Sequence, residues 1–185
     1  NQACILAELG LYSESVKHSS ESVDIYREII NPPSDRYMYR YKLFQWELLI
    51  WKWLASAKPE NLEEPEDPVI ELNIWEEYAL NYVKAYSTAV MKPKSDHLQK
   101  ALIAWRSLRP AQQHVFLASY LVISSLTDFF FGQEASPKDW REKMNTFLNN
   151  RQGSLPIWMN EISRRSGFDL MDYINSSFDH GSKTV

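Results

Sequence analysis

Residues 35–57 read DRYMYRYKLFQWELLIWKWLASA, and how this stretch is read decides the fold. It holds no Gly or Pro, and its large apolar residues recur at alternating steps of three and four, which predicts one helix over Asp35–Ala57. Tyr37, Tyr41, Phe44, Leu48, Trp51 and Ala55 form one stripe. Tyr39, Leu43, Trp46, Ile50, Trp53 and Ala57 form a second, on a different face. A surface helix needs one apolar stripe, so two stripes predict packing on two sides, with other helices in front and behind. The same doubly apolar helix 35–57 also offers a contact for a homo-oligomer.

Composition agrees with an all-helical class. Only 5 of the 185 residues are Gly, too few for a turn-dense all-β fold, while 7 Trp and 10 Tyr suit large helix–helix contacts. This length supports one well-buried core without needing a second. Charge is uneven: residues 1–91 carry 8 Lys/Arg against 15 Asp/Glu, and residues 92–165 carry 11 against 6. Such polarity either offers acidic and basic surfaces to different partners or merely solvates both faces. Cys4 is the only cysteine, which excludes an intrachain disulfide and a cysteine metal cluster. It favours a reducing, cytoplasmic or otherwise intracellular compartment. No signal peptide or membrane-spanning run is present; the longest apolar stretch, 115–131, is broken by Ser119, Ser124, Ser125, Thr127 and Asp128 and reads as a buried core helix.

Residues 1–9 read as the end of a helix stopped by Gly10, and a second helix runs from Ser13 to about Ile30, closed by Asn31-Pro32-Pro33. The order Ala7, Leu9, Gly10, Tyr12, Glu14, Ser15, Val16, then Ser22, Val23, Ile25 and Tyr26, resembles the tetratricopeptide repeat, with Ser15 and Ser22 at its small positions and Pro32 or Pro33 at its closing proline. Gly10 permits the tight turn, and small residues let two helices approach closely. The resemblance covers about residues 1–33. It implies stacked antiparallel helical hairpins and the binding of a protein or peptide partner. After Ala57 the pattern fails: residues 58–68, KPENLEEPEDP, hold three prolines and five acids and read as a linker.

An irregular bundle is expected over residues 69–178, for about seven to eight helices in a single domain over residues 1–178. Val69–Met91 carries Leu72, Trp75, Ala79, Tyr82, Tyr86 and Ala89 on one face, with Glu71, Glu76 and Glu77 in its first turns. Asp96 and Gln99 form a capping box for a helix to Leu108, and Pro110 opens one reaching Phe131 and stopping at Gly132. Ser136-Pro137 and Asp139 start a further helix with Trp140, Met144, Phe147 and Leu148 apolar. Leu155–Arg165 follows after Ser154 and is capped by Gly167; Asp169–Phe178 is the last, and residues 179–185 read as a disordered tail. Because Asn1 opens in what reads as mid-helix, the chain is expected to be the helical regulatory or sensor part of a larger protein.

Chemical motifs are missing. His18, His97, His114 and His180 lack partners at metal-ligand spacing, and Glu14, His18 and Glu21 on one face lack the second motif a di-iron bundle needs. The glycines are isolated, so no phosphate loop exists, and no serine sits in a nucleophile elbow. Neither a catalytic residue, a metal nor a cofactor is expected. The reading is a non-enzymatic protein–protein interaction domain, with Tyr39, Arg40, Trp46 and Trp53 as residues of a partner groove or, for the two tryptophans, of the core. One alternative is a helical regulator binding nucleic acid through Lys92, Lys94, Lys100, Arg106 and Arg109, which the acidic total charge disfavours. Another is an enzyme whose site converges from distant positions in the bundle.

Overall fold

Helix α3, Asp35–Ala55, carries the two-sided packing that its stripes require. On one side Phe44 meets Tyr26 at 5.2 Å, and Trp51 meets Trp158 edge-on at 6.2 Å. On the other, Lys84 lies over the Trp46 ring at 5.7 Å. From Trp46 to Leu54 most side chains are buried whichever way they point, because helices cover both faces. The computed structural model describes residues 2–29, 35–56, 62, 64, 65, 72–93, 96–132 and 139–179; the closing prolines, most of the acidic linker, Lys94 and residues 180–185 lie outside them.

Ten helices and no strand occur among the described residues. Helices α1 (Gln2–Glu8), α2 (Tyr12–Ile29), α3, α4 (Ile74–Met91) and α5 (His97–Ser107) pack on one another in chain order. Then come α6 (Pro110–Val115), α7 (Leu117–Phe131), α8 (Trp140–Asn150), α9 (Ile157–Arg165) and α10 (Leu170–Asp179). Helix α7 is the axis of this second half. Residues 119–128 are buried without a gap, and α4, α5, α8 and α9 all pack on it. Two of its buried hydroxyls, Ser125 and Thr127, donate to the carbonyls of Leu121 and Ile123 (2.8 and 2.6 Å). Helix α9 returns to the start of the chain and packs on α1 and α3 as well as α7. Glu8 and Arg151 pair at 2.9 Å near the same junction.

The α1–α2 pair is built as the small-residue argument requires, with one change of position. Ala3, Ala7, Ser15 and Ser19 are buried between the helices, and Ser15 Oγ donates to the Ala3 carbonyl at 2.8 Å. Ser22, expected at a small packing position, is only half-buried and donates to its own helix at His18 O. Gly10 makes the turn at φ +75°, where a Cβ would lie 3.3 Å from Ile157 Cγ2. Gly10→Ala is expected to cost about 1–2 kcal/mol in urea unfolding, from the left-handed backbone alone. An unchanged midpoint would show that the turn relaxes to another conformation.

Three local signals resolve differently from their sequence reading. Helix α4 begins at Ile74 rather than near Val69, because Asn73 Oδ1 accepts from the Trp75 and Glu76 amides (both 3.1 Å) and Glu76 Oε2 takes the Asn73 amide (3.2 Å). Asp96 makes no such cap. Its backbone is already helical (φ −60°, ψ −5°), which turns the carboxylate away from the first amides, and it pairs with Lys100 at 2.7 Å instead. The helix expected over Pro110–Phe131 is interrupted at Phe116 (φ −97°, ψ 16°), whose carbonyl takes both the Tyr120 amide at 3.0 Å and the Ser119 hydroxyl at 2.7 Å. This is one reason the helix count exceeds the expected seven to eight.

Candidate functional site

The structure divides the four residues expected to form a partner groove. Trp46 is 1% exposed and Trp53 6%, so both indoles are core rather than groove. The Trp53 ring carries the Arg165 guanidinium at 4.9 Å, and that group also donates to the carbonyls of Trp53 and Leu54, both at 2.7 Å. The stripe residues from Trp46 to Leu54 are buried within the same chain, which leaves none of them to a second copy. Arg40 is exposed, and Tyr39 is half-buried with its ring against the core.

Around these two residues an exposed face forms that the sequence did not single out. Burial and the Glu76 carboxylate push the Tyr39 hydroxyl pKa up, while the Arg109 and Arg40 guanidiniums pull it back. Those four side chains therefore share one electrostatic neighbourhood, drawn from α3, α4 and the start of α6. Gln112 closes the group by donating from Nε2 to the Trp75 carbonyl at 2.7 Å. Trp75 is 44% exposed and sits edge-on to Tyr78 at 5.9 Å, with Ile74 exposed beside it in the sequence. Neither Arg40 nor Arg109 makes an ion pair among the described residues. Trp75 falls on the apolar stripe of α4 by spacing alone. The first turn of α4 is largely exposed, and the Trp75 ring with it.

Two of the basic residues of the nucleic-acid alternative are held in surface ion pairs. Lys92 pairs with Glu64 at 3.7 Å and Lys100 with Asp96 at 2.7 Å. Arg106 is exposed on α5, Arg109 belongs to the Tyr39 face, and Lys94 lies outside the described residues. Trp105, the ring that could stack on a base, is buried and stacked on Tyr120 at 4.3 Å.

A cavity of about 360 Å³ opens further along α3, among α1, α3, α4, α9 and the α6–α7 junction. Its floor holds Glu47 and Cys4, 43 residues apart, with the thiol donating from Sγ to Glu47 Oε1 at 2.7 Å. Burial and the adjacent Glu47 charge hold the Cys4 thiol far above the usual range, so it carries no thiolate. Burial also pushes the Glu47 carboxyl pKa up, partly offset by the Cys4 S–H and the nearby Trp51 N–H. Trp51 Nε1 closes no hydrogen bond of ordinary geometry, although the residue is buried. Tyr86 lines the cavity too, and burial together with Glu47 drives its hydroxyl pKa up.

Among the described residues no three His, Cys, Asp or Glu side chains converge to hold a metal ion, and no helix is long and apolar enough to cross a membrane. Comparison with family models, curated proteins and solved structures finds no match.

Proposed function

We propose that this chain is a non-enzymatic helical interaction domain that binds a protein or peptide segment across the Tyr39–Arg40–Trp75–Arg109 face. The observation that carries the reading is an exposed Trp, tied through Gln112 to Arg109, next in sequence to Glu76 of the Tyr39 neighbourhood, where the Arg40 and Arg109 guanidiniums make no ion pair among the described residues. Trp, Tyr and Arg are the residues that dominate binding energy at protein interfaces. The matching segment presents an apolar side chain to Trp75 and acidic groups to Arg40 and Arg109, which recognise carboxylates through paired N–H donors. The α1–α2 pair, with its left-handed Gly10 and its small residues at the crossing, supports the tetratricopeptide-like reading of the first 33 residues. In that reading the chain has a scaffold, sensor or regulatory role inside the cell.

Capture from native extract, read by mass spectrometry, tests the face when wild type is compared with Trp75→Ala, Arg109→Glu and a control at exposed Ile103 (Ile103→Ala). A specific partner held by wild type and the control should be lost at least tenfold by the two face variants, with circular dichroism unchanged. Equal capture by all four proteins would remove this face from the interaction. Capture of nucleic acid alone, with a steep salt dependence, would move the function to the basic alternative.

A further inference from the structure

None of Tyr39, Arg40, Trp75 and Arg109 lines the Glu47 cavity, which has its own chemistry. Its walls are aromatic: Phe44, Trp51, Tyr86, Phe116 and Trp158 all line it. Its volume of about 360 Å³ lies within the range of small-molecule sites. Two polar features at the floor are incompletely satisfied. No Lys, Arg or His pairs with Glu47 among the described residues, and Cys4 Sγ is the only donor that reaches its carboxylate with ordinary geometry. The Trp51 indole N–H, on a residue only 6% exposed, lies close to that carboxylate without reaching ordinary hydrogen-bond geometry.

A carboxyl withdrawn from water without a cation is costly when ionised, and a fold that keeps one there leaves a position that a cation stabilises. Aromatic faces attract cations and discriminate against anions, because the ring quadrupole is negative above the plane. We propose that this cavity binds a small hydrophobic organic cation, an arylalkyl ammonium in chemical class, with its charged nitrogen on the Glu47 carboxylate and its apolar body among the Phe44, Phe116 and Trp158 rings. A neutral ligand of the same shape gains the ring contacts and leaves the carboxylate uncompensated. An anion meets both Glu47 and, at the rim, Glu8.

Three probes of nearly equal shape separate these cases on the intact chain by calorimetric titration: phenethylamine, phenethyl alcohol and 3-phenylpropanoate. The expected result is a Kd below about 1 mM for the amine, at least tenfold tighter than for either other probe. In Glu47→Gln the amine should fall to the level of the alcohol. Absence of binding by the amine, equal affinity for amine and alcohol, or an amine preference that survives in a folded Glu47→Gln would each overturn the assignment. If circular dichroism shows that Glu47→Gln is unfolded, the three-probe comparison on wild type decides alone. Loss of amine binding leaves the Trp75 capture experiment unaffected, so the two readings fail independently.

Discussion

Trp46→Ala should lower the unfolding free energy by about 3–5 kcal/mol, the usual cost of emptying a large aromatic site in a core. Trp46 is among the largest side chains buried almost completely, at 1% exposure, and it sits where α3 meets α4 under the Lys84 ammonium. Its removal leaves a cavity that α4 cannot fill without moving off α5 and α7, on which it also packs. For a chain of this size the drop corresponds to a fall in Tm of about 10 °C. Urea unfolding with a constant m-value is the appropriate readout, since a changed slope would signal loss of two-state behaviour. Trp75→Ala, with its ring half in solvent, should cost under about 1 kcal/mol. The contrast is the informative part: equal costs at Trp46 and Trp75 would place the Trp46 ring at a surface.

The second large effect is expected at Arg165. Its guanidinium caps the C-terminal end of α3, donating to Trp53 O and Leu54 O at 2.7 Å, and pairs with Glu161 at 2.8 Å. It also lies 4.9 Å from the Trp53 ring centre. The last carbonyls of a helix have no partner within it, and a cation there also meets the negative end of the helix dipole. Arg165→Met keeps much of the apolar stem and removes every one of these bonds. With the side chain 23% exposed, solvent compensates part of the loss, and the expected cost is about 2–3 kcal/mol. Arg165→Lys should recover less than half, because an ammonium cannot span two carbonyls, a carboxylate and a ring at once. Arg164 binds the same Glu161 but is 70% exposed, and Arg164→Met should fall within about 0.5 kcal/mol of wild type. If the two methionine variants lose equal stability, Arg165 is no more than a surface ion pair.

Sequence-local physics carried much of the fold. The absence of Gly and Pro across 35–55 and the two stripes at steps of three and four predicted a helix and two-sided packing, and Tyr26, Trp158 and Lys84 supply the two sides. The buried reading of the 115–131 stretch holds for Ser119–Asp128, since hydroxyls that bond within their own helix add little cost to burial. Gly10 and Gly167 end their helices at positive φ, where glycine has no Cβ to clash. Capping was less legible. Asp96 has the right type and spacing, yet its backbone dihedral decides whether its carboxylate can reach an amide.

The sites were hardly legible at all. Spacing puts Trp75 on the apolar face of α4, yet the ring is 44% exposed, because spacing cannot say where a helix runs past its neighbours. Glu47 is one acid on an apolar helix; its meaning arises from Cys4, 43 residues away, and from rings on α4, α9 and the α6–α7 junction. Arg165 lies 111 residues from the Leu54 carbonyl that it caps. Periodicity, caps and turns are energies exchanged among residues within a few positions, so they can be read along the chain. The return of α9 to α1 and α3, the outward turn of Trp75 and the closure of the Glu47 cavity depend on which surfaces fit when distant segments meet. Those choices belong to the tertiary structure.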